Sequence, residues 1–547
     1  MPKPKITEAL DKLSSKTAIK NTIYMLSIII FFALILLPPI LGIIIKWGSI
    51  QDVFNQPELM SEALNAIAAS FAVAFFVSFI DVIAGVPMAW MITRGKSKWL
   101  NVLDTLADIP FIVPTATLGY SLLLFWSEPG GLSSLFGTPF VSPGWLLVIL
   151  LHFAFSFPVV VRVMVGALLD YKLEYEQAAR TLGAAPLTAA RTVTFPILKH
   201  SVVASFTLAF ARSLSETGAT MMVAGVFVHG PIFIKNHIGE AGPLVFISSI
   251  LIILSSLVFI TIRLLGPRLK MPVRKVWPVT ERKLSSSAIA SSRNSVTLLI
   301  FFIIVLVPSL FVALPAIEAI FAGVLPEALG GLGVWGDYWQ SIALSYFIGI
   351  IATLINVIIG LPMAVIIARR KIGKGPSAVL DMLVNIPIIV PSVALGASLA
   401  IFWTESFAFI PEIWLLIFAH LSITYPYFVK SMSAAVERIS IELEEASRTL
   451  GAKPLGVFRT IIFPLTKYSM LSGAIMVFTR SISETGATLV VSSLKTAPVL
   501  LANDWVIPYM QGTGQATRAE IGLGCGFLIL LSFIILLVLR LVTRGKE

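Results

Sequence analysis

The chain has 547 residues and a net charge of +11, with 57% hydrophobic and only 13% charged residues. A soluble domain carries about a quarter charged residues, so this composition excludes an ordinary soluble protein and predicts a polytopic membrane protein. Lys and Arg occur in short clusters between apolar runs, as in membrane-protein loops, and do not indicate a nucleic-acid-binding surface. The single cysteine, Cys525, excludes an intrachain disulfide and gives no reason to expect redox chemistry.

Apolar runs of about 20 residues, the length that crosses a bilayer, occur twelve times. The first run follows a Lys-rich segment and is too long for a signal-peptide core, so it predicts a spanning helix with a cytosolic N-terminus. The twelve predicted spans lie near 23–46, 64–92, 103–126, 145–169, 197–227, 244–266, 296–322, 340–368, 380–404, 412–435, 466–493 and 519–541.

Basic clusters follow spans two, six, eight and twelve, whereas the opposite loops are long and poor in Lys and Arg. By the positive-inside rule, both termini and the loops after spans four and ten face the cytosol. The Pro- and Ser-containing segment 267–295 is predicted to be a cytosolic linker. It separates a first half, 1–266, from a second half, 296–547, with six spans in each and the same orientation.

Two polar loops, 174–196 and 442–464, repeat almost residue for residue. The same offset of 268 residues separates Gly183 from Gly451 and Pro196 from Pro464. Further matches lie in the spans, and they indicate a fused duplication of one six-span unit. They pair Asp81 with Asn356, Pro110 and Pro114 with Pro387 and Pro391, and His152 with His420.

Each loop has the i, i+3, i+4, i+7 pattern of a short amphipathic helix. The mostly apolar face consists of Tyr175, Ala178, Ala179 and Leu182, or of Leu443, Ala446, Ser447 and Leu450. The opposite face carries Glu174, Glu176, Arg180 and Thr181, or Glu442, Glu444, Arg448 and Thr449. Gly183 and Gly451 occupy the place of a left-handed cap, and Pro186 and Pro454 begin a second helix. This pattern predicts a docking surface used twice; the alternative is a helix resting on lipid headgroups.

The loops resemble the "EAA loop" of permease subunits of binding-protein-dependent ABC importers. Gln177-Ala178-Ala179 with Gly183 fits with Gln in place of Glu, and Glu445-Ala446-Ser447 with Gly451 fits with Ser in place of the second Ala. The resemblance covers nearly the whole chain. The fused arrangement is similar to that of the permeases of ferric-iron and thiamine importers, and more distantly to molybdate and sulfate permeases. It implies an all-α polytopic fold of type I, with 12 transmembrane helices in two parallel six-helix repeats.

The resemblance also implies a mechanism and partners. Each loop would form a coupling helix on one subunit of a cytosolic ABC ATPase dimer, and an extracytoplasmic binding protein would deliver a small solute to this chain in the cell membrane. The implied coupling residues are Glu174, Gln177, Ala178, Ala179, Gly183, Glu442, Glu445, Ala446, Ser447 and Gly451.

ATP and Mg would bind the partner ATPase, because Trp90 stands where a phosphate loop ending in Gly95-Lys96-Ser97 requires its first Gly. No catalytic residue, cofactor, metal or nucleic acid is expected for this chain. The alternative function is an ion-gradient-driven secondary transporter with two six-span halves, a class that shares the span count but does not explain the duplicated loop.

Arg212 and Glu216, and their counterparts Arg480 and Glu484, are ionisable groups inside predicted spans, where such groups face a bundle interior or a wet path. Their i, i+4 spacing predicts pairing on one helical face. Two roles stay open, an interface between the halves and a pathway or gate. His152 and His420 allow a metal hypothesis, but interhelical hydrogen bonds are the expectation.

Overall fold

The computed structural model describes residues 14–95, 97, 99–128, 131–135, 137–268 and 277–544. These residues form helices joined by short turns, and this part of the chain contains no strand. The basic N-terminal segment up to residue 13 and linker residues 269–276 lie outside the described residues.

The helices of the first half occupy both predicted spans and predicted loops. They are α1 (Ala18–Ile45), α2 (Pro57–Arg94), α3 (Trp99–Leu106), α4 (Ile109–Ile112), α5 (Thr115–Trp126), α6 (Trp145–Asp170), α7 (Glu174–Thr181), α8 (Pro186–Ser215), α9 (Gly218–Val223), α10 (Gly230–Asn236) and α11 (Ala241–Leu265).

The linker contributes one short helix, and the second half repeats the pattern of the first. These helices are α12 (Pro278–Leu284), α13 (Ser287–Phe321), α14 (Val324–Gly330), α15 (Trp335–Ala368), α16 (Lys374–Leu383), α17 (Ile386–Ile389), α18 (Ser392–Ser406), α19 (Glu412–Glu437), α20 (Ile441–Thr449), α21 (Pro454–Ile482), α22 (Gly486–Val491), α23 (Ala497–Val499, continued by Leu500–Val506 and Ile507–Met510) and α24 (Arg518–Arg544).

Ten helices of the described chain are long and apolar enough to cross a membrane, and one further span consists of a bent pair of helices. The ten are α1, α2, α6, α8, α11, α13, α15, α19, α21 and α24. The predicted all-α polytopic fold is confirmed. Four of the twelve predicted spans are not continuous helices, and the third and the ninth are broken at proline.

Proline divides these two spans into separate helices. Lys374–Ile389 and Ser392–Ser406 meet at 102°, and the third span is likewise divided into α3, α4 and α5. Val113 and Val390, which precede Pro114 and Pro391, are extended, with ψ of 122° and 131°. The cause is steric, because a proline ring disfavours the α conformation of the preceding residue.

The predicted spans 197–227 and 466–493 are also interrupted. α8 ends at Ser215 and α9 begins at Gly218, while α21 ends at Ile482 and α22 begins at Gly486. Both interruptions lie in the repeated sequence Ser-x-Ser-Glu-Thr-Gly-Ala-Thr. Each of these two predicted spans is therefore a long helix followed by a short one.

Histidines connect the helices across these interruptions. His152 in α6 forms hydrogen bonds to Ser213 Oγ at 2.8 Å and Thr220 Oγ1 at 2.9 Å, on either side of the break. His420 makes the matching bonds, to Ser481 Oγ at 2.7 Å and Thr488 Oγ1 at 2.9 Å. These contacts confirm the interhelical hydrogen bonds expected from the sequence.

The first helix of each half packs on the other half. α1 lies against α15, α18 and α19, and Ser27 Oγ donates a hydrogen bond to Ile359 O at 2.8 Å. The N-terminal part of α13 lies against α2 and α6, and Ser121 Oγ of α5 donates to Pro308 O at 2.6 Å. The two six-span repeats are therefore interlocked, which the sequence repeat did not indicate.

Candidate functional site in the repeated loops

The two repeated loops fold as the local sequence predicts. α7 and α20 are followed by Gly183 and Gly451, whose φ angles of +88° and +89° lie in the left-handed region. The Ala184 amide donates to Ala179 O at 3.1 Å and the Ala452 amide to Ser447 O at 3.0 Å, which is the 6→1 bond of a Schellman cap. The predicted amphipathic helices and their glycine caps are confirmed.

The apolar face of each loop helix points away from the protein. Leu182 and Leu450 are each 89% exposed, and Tyr175 and Leu443 are about half exposed. Two large apolar side chains on each short helix thus lie open at positions related by the repeat. Such patches on a protein surface mark sites of interaction with another molecule.

The predicted coupling residues surround these exposed apolar side chains. In the first loop Glu174, Gln177, Ala178 and Gly183 are exposed and Ala179 is half-buried. In the second loop Glu442, Glu445, Ala446 and Gly451 are exposed and Ser447 is half-buried. All ten residues therefore lie on two corresponding surfaces, in the same arrangement on each.

One residue of the predicted polar face turns inward in each loop: Glu176 and Glu444 are buried. Glu444 Oε1 accepts hydrogen bonds from Arg369 Nε at 2.8 Å and from Arg369 Nη2 at 2.7 Å. Arg369 also donates to Ile439 O at 2.9 Å. This ion pair, whose side chains are both 6% exposed, fastens α20 to the end of α15.

The first loop is fastened differently. Glu176 Oε2 accepts a hydrogen bond of 3.4 Å from Thr194 Oγ1. Arg94, which closes α2 as Arg369 closes α15, lies over the Tyr171 and Trp90 rings, 5.7 and 5.8 Å from their centroids. Cation–π contacts of Arg94 thus occupy the place of the Arg369 ion pair. The sequence analysis did not identify Glu176 and Arg94, or Glu444 and Arg369, as residues that fasten the loops, although both the Glu and the Arg recur in the two halves.

Two ionisable groups at the second loop have shifted pKa values. A hydrogen bond from the Ser440 hydroxyl lowers the pKa of the exposed Glu442 carboxyl. Burial lowers the pKa of Lys371, the charge of Arg448 lowers it further, and Glu444 opposes both. Glu442 therefore stays ionised at neutral pH and contributes a negative charge to the surface around Leu443.

The second candidate site is the contact between the halves at the interrupted spans, here called the crossing (213–220 and 481–488). Arg480 Nη2 lies 2.6 Å from Glu484 Oε2, so the predicted ion pair forms in the second half. Arg212 donates from Nε to Phe155 O at 3.1 Å, and its guanidinium lies 3.8 Å from the Phe155 ring centroid.

The two carboxylates do not continue the helices of their arginines. Glu216 is extended, with ψ of 128°, and its Oε1 accepts a hydrogen bond of 2.9 Å from the Ala219 amide. Glu484 Oε1 accepts one of 3.0 Å from the Ala487 amide. Both carboxylates cap the short helix that follows the break, so the predicted Arg480–Glu484 pair forms across the break and not along one continuous helix.

Small residues allow the two halves to touch at the crossing. A Cβ added at Gly218 would lie 2.4 Å from Thr485 Oγ1, and one at Gly486 would lie 2.8 Å from Thr217 Oγ1. Hydroxyl groups link the same backbone segments: Thr115 donates to Ser483 O at 3.0 Å and Ser392 to Ser215 O at 3.3 Å. Each half thus supports the interrupted backbone of the other.

The residues described here contain no group of three or more His, Cys, Asp or Glu side chains arranged to hold a metal ion. The fold and the two sites define a polytopic permease made of two related halves. The family described as "Binding-protein-dependent transport system inner membrane component" matches residues 81–271 and 360–544, more than half of the chain. The chain belongs to this family, and the predicted family is confirmed.

Curated relatives are similar to one half of the chain. The sulfate transport system permease protein CysT of Salmonella typhimurium is 34% identical over 205 residues, 36% of this chain and 72% of the relative. The CysT protein of Escherichia coli is 32% identical over 204 residues, with the same coverage. The molybdenum transport system permease protein ModB of Escherichia coli is 33% identical over 173 residues, 31% of this chain and 73% of the relative. This chain is therefore a permease component of a binding-protein-dependent ABC importer, and its relatives are transport subunits.

Replacing Glu444 with alanine removes the partner of the buried Arg369. Loss of one member of a buried ion pair costs about 3–5 kcal/mol, so we expect α20 to detach locally from α15. Hydrogen exchange of residues 441–451 should become faster, while that of 174–183 should not change. Glu442→Ala, at an exposed position of the same helix, is the control, and equal exchange in both variants would contradict the anchor.

Replacing Gly218 with alanine places a methyl group against Thr485. Overpacking at this contact should destabilise the bundle by about 1–3 kcal/mol and lower the thermal unfolding midpoint of the purified chain. Gly166→Ala is the matched control, because a Cβ there meets nothing within 4 Å. The same midpoint for both variants would show that the halves do not pack closely at Gly218.

Proposed function

We propose that this chain is the complete transmembrane pathway of an ABC importer and that one ATPase subunit docks on each repeated loop. The observation that carries the proposal is the pair of exposed apolar faces at Tyr175 and Leu182 and at Leu443 and Leu450. Burying such side chains in a partner contributes about 1.5–3 kcal/mol each, which gives a short helix enough energy to dock. The family membership supports this choice of partner.

Each loop passes directly into a long helix. α8 runs from Pro186 to Ser215 and α21 from Pro454 to Ile482, without a break, from the loop to the crossing. At 1.5 Å per residue, helices of 30 and 29 residues extend about 45 Å. A movement of the loop is therefore carried by one rigid element to the contact between the halves.

The crossing is the proposed gate. ATP binding would close the ATPase dimer and bring the two loops together, and α8 and α21 would then change the contacts of Gly218 with Thr485 and of Gly486 with Thr217. Arg212, Glu216, Arg480 and Glu484 hold the ends of the interrupted helices on each side of this contact. We propose that these four residues act at the interface between the halves. They would keep the short helices capped while the halves move, as a gate requires.

The remaining partners and the orientation follow from the same proposal. The basic clusters support a cytosolic position for both termini and both loops, and a binding protein would then deliver the solute from the opposite side. ATP and Mg bind the ATPase, and this chain binds no cofactor. We propose the cell membrane as the location and 1–266, 267–295 and 296–547 as first half, linker and second half. Because relatives are named for sulfate and molybdenum transport, oxyanions are the first solutes to test.

Replacing Leu182 and Leu450 with serine should abolish ATPase docking and leave the fold intact. Both side chains are 89% exposed, so neither contributes to packing within the chain. Each single change should weaken binding of the ATPase encoded with this chain about tenfold or more, as loss of a buried leucine predicts. The measurement is the Kd of the purified ATPase for the chain in nanodiscs.

The control for this experiment is Val226→Ser, which changes a 96% exposed apolar side chain outside both loops. Unchanged ATPase affinity in the Leu182 and Leu450 variants would contradict docking at the loops. A second measurement addresses a secondary transporter: the chain alone, in vesicles with an ion gradient, should take up neither sulfate nor molybdate. Gradient-driven uptake without an ATPase would overturn the importer assignment.

A further inference from the structure

The linker helix α12 is seated on the first repeated loop. Glu281 of α12, only 4% exposed, accepts hydrogen bonds of 2.6 Å from Thr188 Oγ1 and from Arg191 Nε. One turn further on, Ser285 Oγ accepts a hydrogen bond of 3.0 Å from the Leu187 amide. A buried carboxylate with a charged and a hydroxyl donor fixes both the position and the rotation of α12.

The second loop is covered differently at the corresponding place. Gly456 occupies the position of Thr188, and Arg459, the counterpart of Arg191, is exposed. The Leu455 amide, equivalent to that of Leu187, donates a hydrogen bond of 3.2 Å to Ser14 Oγ, at the start of the described chain. The hydrogen bonds of Glu281 with Thr188 and Arg191 are therefore specific to the first loop, although the loops themselves are nearly identical in sequence.

Between α12 and the first loop lies an open cleft of about 770 Å³. The loop contributes Arg180 and the backbone at the Gly183 cap, and α12 contributes Arg282 and Lys283. All three cationic side chains are exposed, and within the described part of the chain no Asp or Glu lines the cleft. The lining set thus has a net positive charge and selects an anionic occupant.

The cleft adjoins the exposed apolar face of the loop. Gly183, which lines the cleft, directly follows Leu182, and Val279 of α12 adds a second exposed apolar side chain on the other side. A partner that covers Leu182 therefore reaches the basic cleft without a gap. This continuity lets one partner cover both the apolar face and the cleft, and the membership of the chain in an importer permease family favours an ATPase subunit as that partner.

We propose that α12 and the first loop form one docking surface and that the basic cleft receives an acidic segment of the ATPase subunit on the first half. This inference rests on the proposed docking of an ATPase on the loops. Among the described residues, Arg282 and Lys283 line a cleft at the first loop only, so we expect them to strengthen ATPase binding at that loop. Glu281 acts as a positioning residue that holds these two cations over the cleft.

The experiment uses the full-length chain in nanodiscs of phosphatidylcholine and the ATPase encoded with it. The test variant is Arg282→Glu with Lys283→Glu, and the control is Arg293→Glu, an exposed cation of α13 outside the cleft. We expect the test variant to weaken ATPase binding about tenfold at low salt and to reduce the salt dependence of the Kd. The control should bind like the unchanged chain.

Each outcome has one meaning. If the unchanged chain binds the ATPase and the test variant binds it equally well, the acidic-segment proposal is wrong while loop docking stands. If the defect appears only when phosphatidylglycerol is present, the cleft binds lipid headgroups and the proposal is overturned. If the unchanged chain does not bind the ATPase, the proposed function itself fails. The proposal is supported if the test variant binds the ATPase more weakly in nanodiscs of phosphatidylcholine alone and the Kd depends less on salt.

Discussion

The backbone is interrupted inside four predicted spans, and the bundle depends on how the polar groups freed there are satisfied. An unpaired peptide group in hydrocarbon costs several kcal/mol, so irregular backbone must be buried in protein. The Thr115 hydroxyl, at the proline break of the first half, donates to Ser483 O in the interrupted span of the second half. The Ser392 hydroxyl, at the proline break of the second half, donates to Ser215 O in the first half. Neither half satisfies its own breaks completely, so the two halves need each other at the crossing. The exchange of α1 and α13 between the halves adds a second mutual dependence.

Apart from the contacts of Arg212 and Arg480, the crossing is closely repeated in the two halves, whereas the two loops are fastened differently. His152 and His420 make the same pair of hydrogen bonds, and Glu216 and Glu484 cap the following helices alike. At the loops, a buried ion pair with Arg369 fastens the second copy, while Arg94 stacks on aromatic rings beside the first. The crossing involves both halves in one contact, whereas each loop contacts mainly its own surroundings. Divergence after duplication is therefore easier at the loops.

Local signals in the sequence were sufficient where the determinants are close in the chain. Glycine at +88° after an amphipathic helix is such a case, and the pairing of Asp81 with Asn356 in the repeat is another. Asp81 accepts from Ser156 and Asn356 donates to Thr424 at 2.8 Å, so either side chain serves that position. The burial of Glu444 could not be predicted from its helix, because its partner Arg369 lies 75 residues earlier. The 102° angle at the proline break of the ninth span and the exchange of α1 and α13 likewise depend on distant packing.

The asymmetry of the two loops follows from connectivity. Because α13 packs on the first half, the chain that enters it must pass the first loop, and α12 lies there as a consequence. The corresponding place at the second loop is reached by Ser14 at the entry to α1, which packs on the second half. Two separate identical subunits would have equivalent segments at both loops. Fusion into one chain gives the first loop a linker with its own sequence, and Glu281, Arg282 and Lys283 of this linker add to the surface of the first loop.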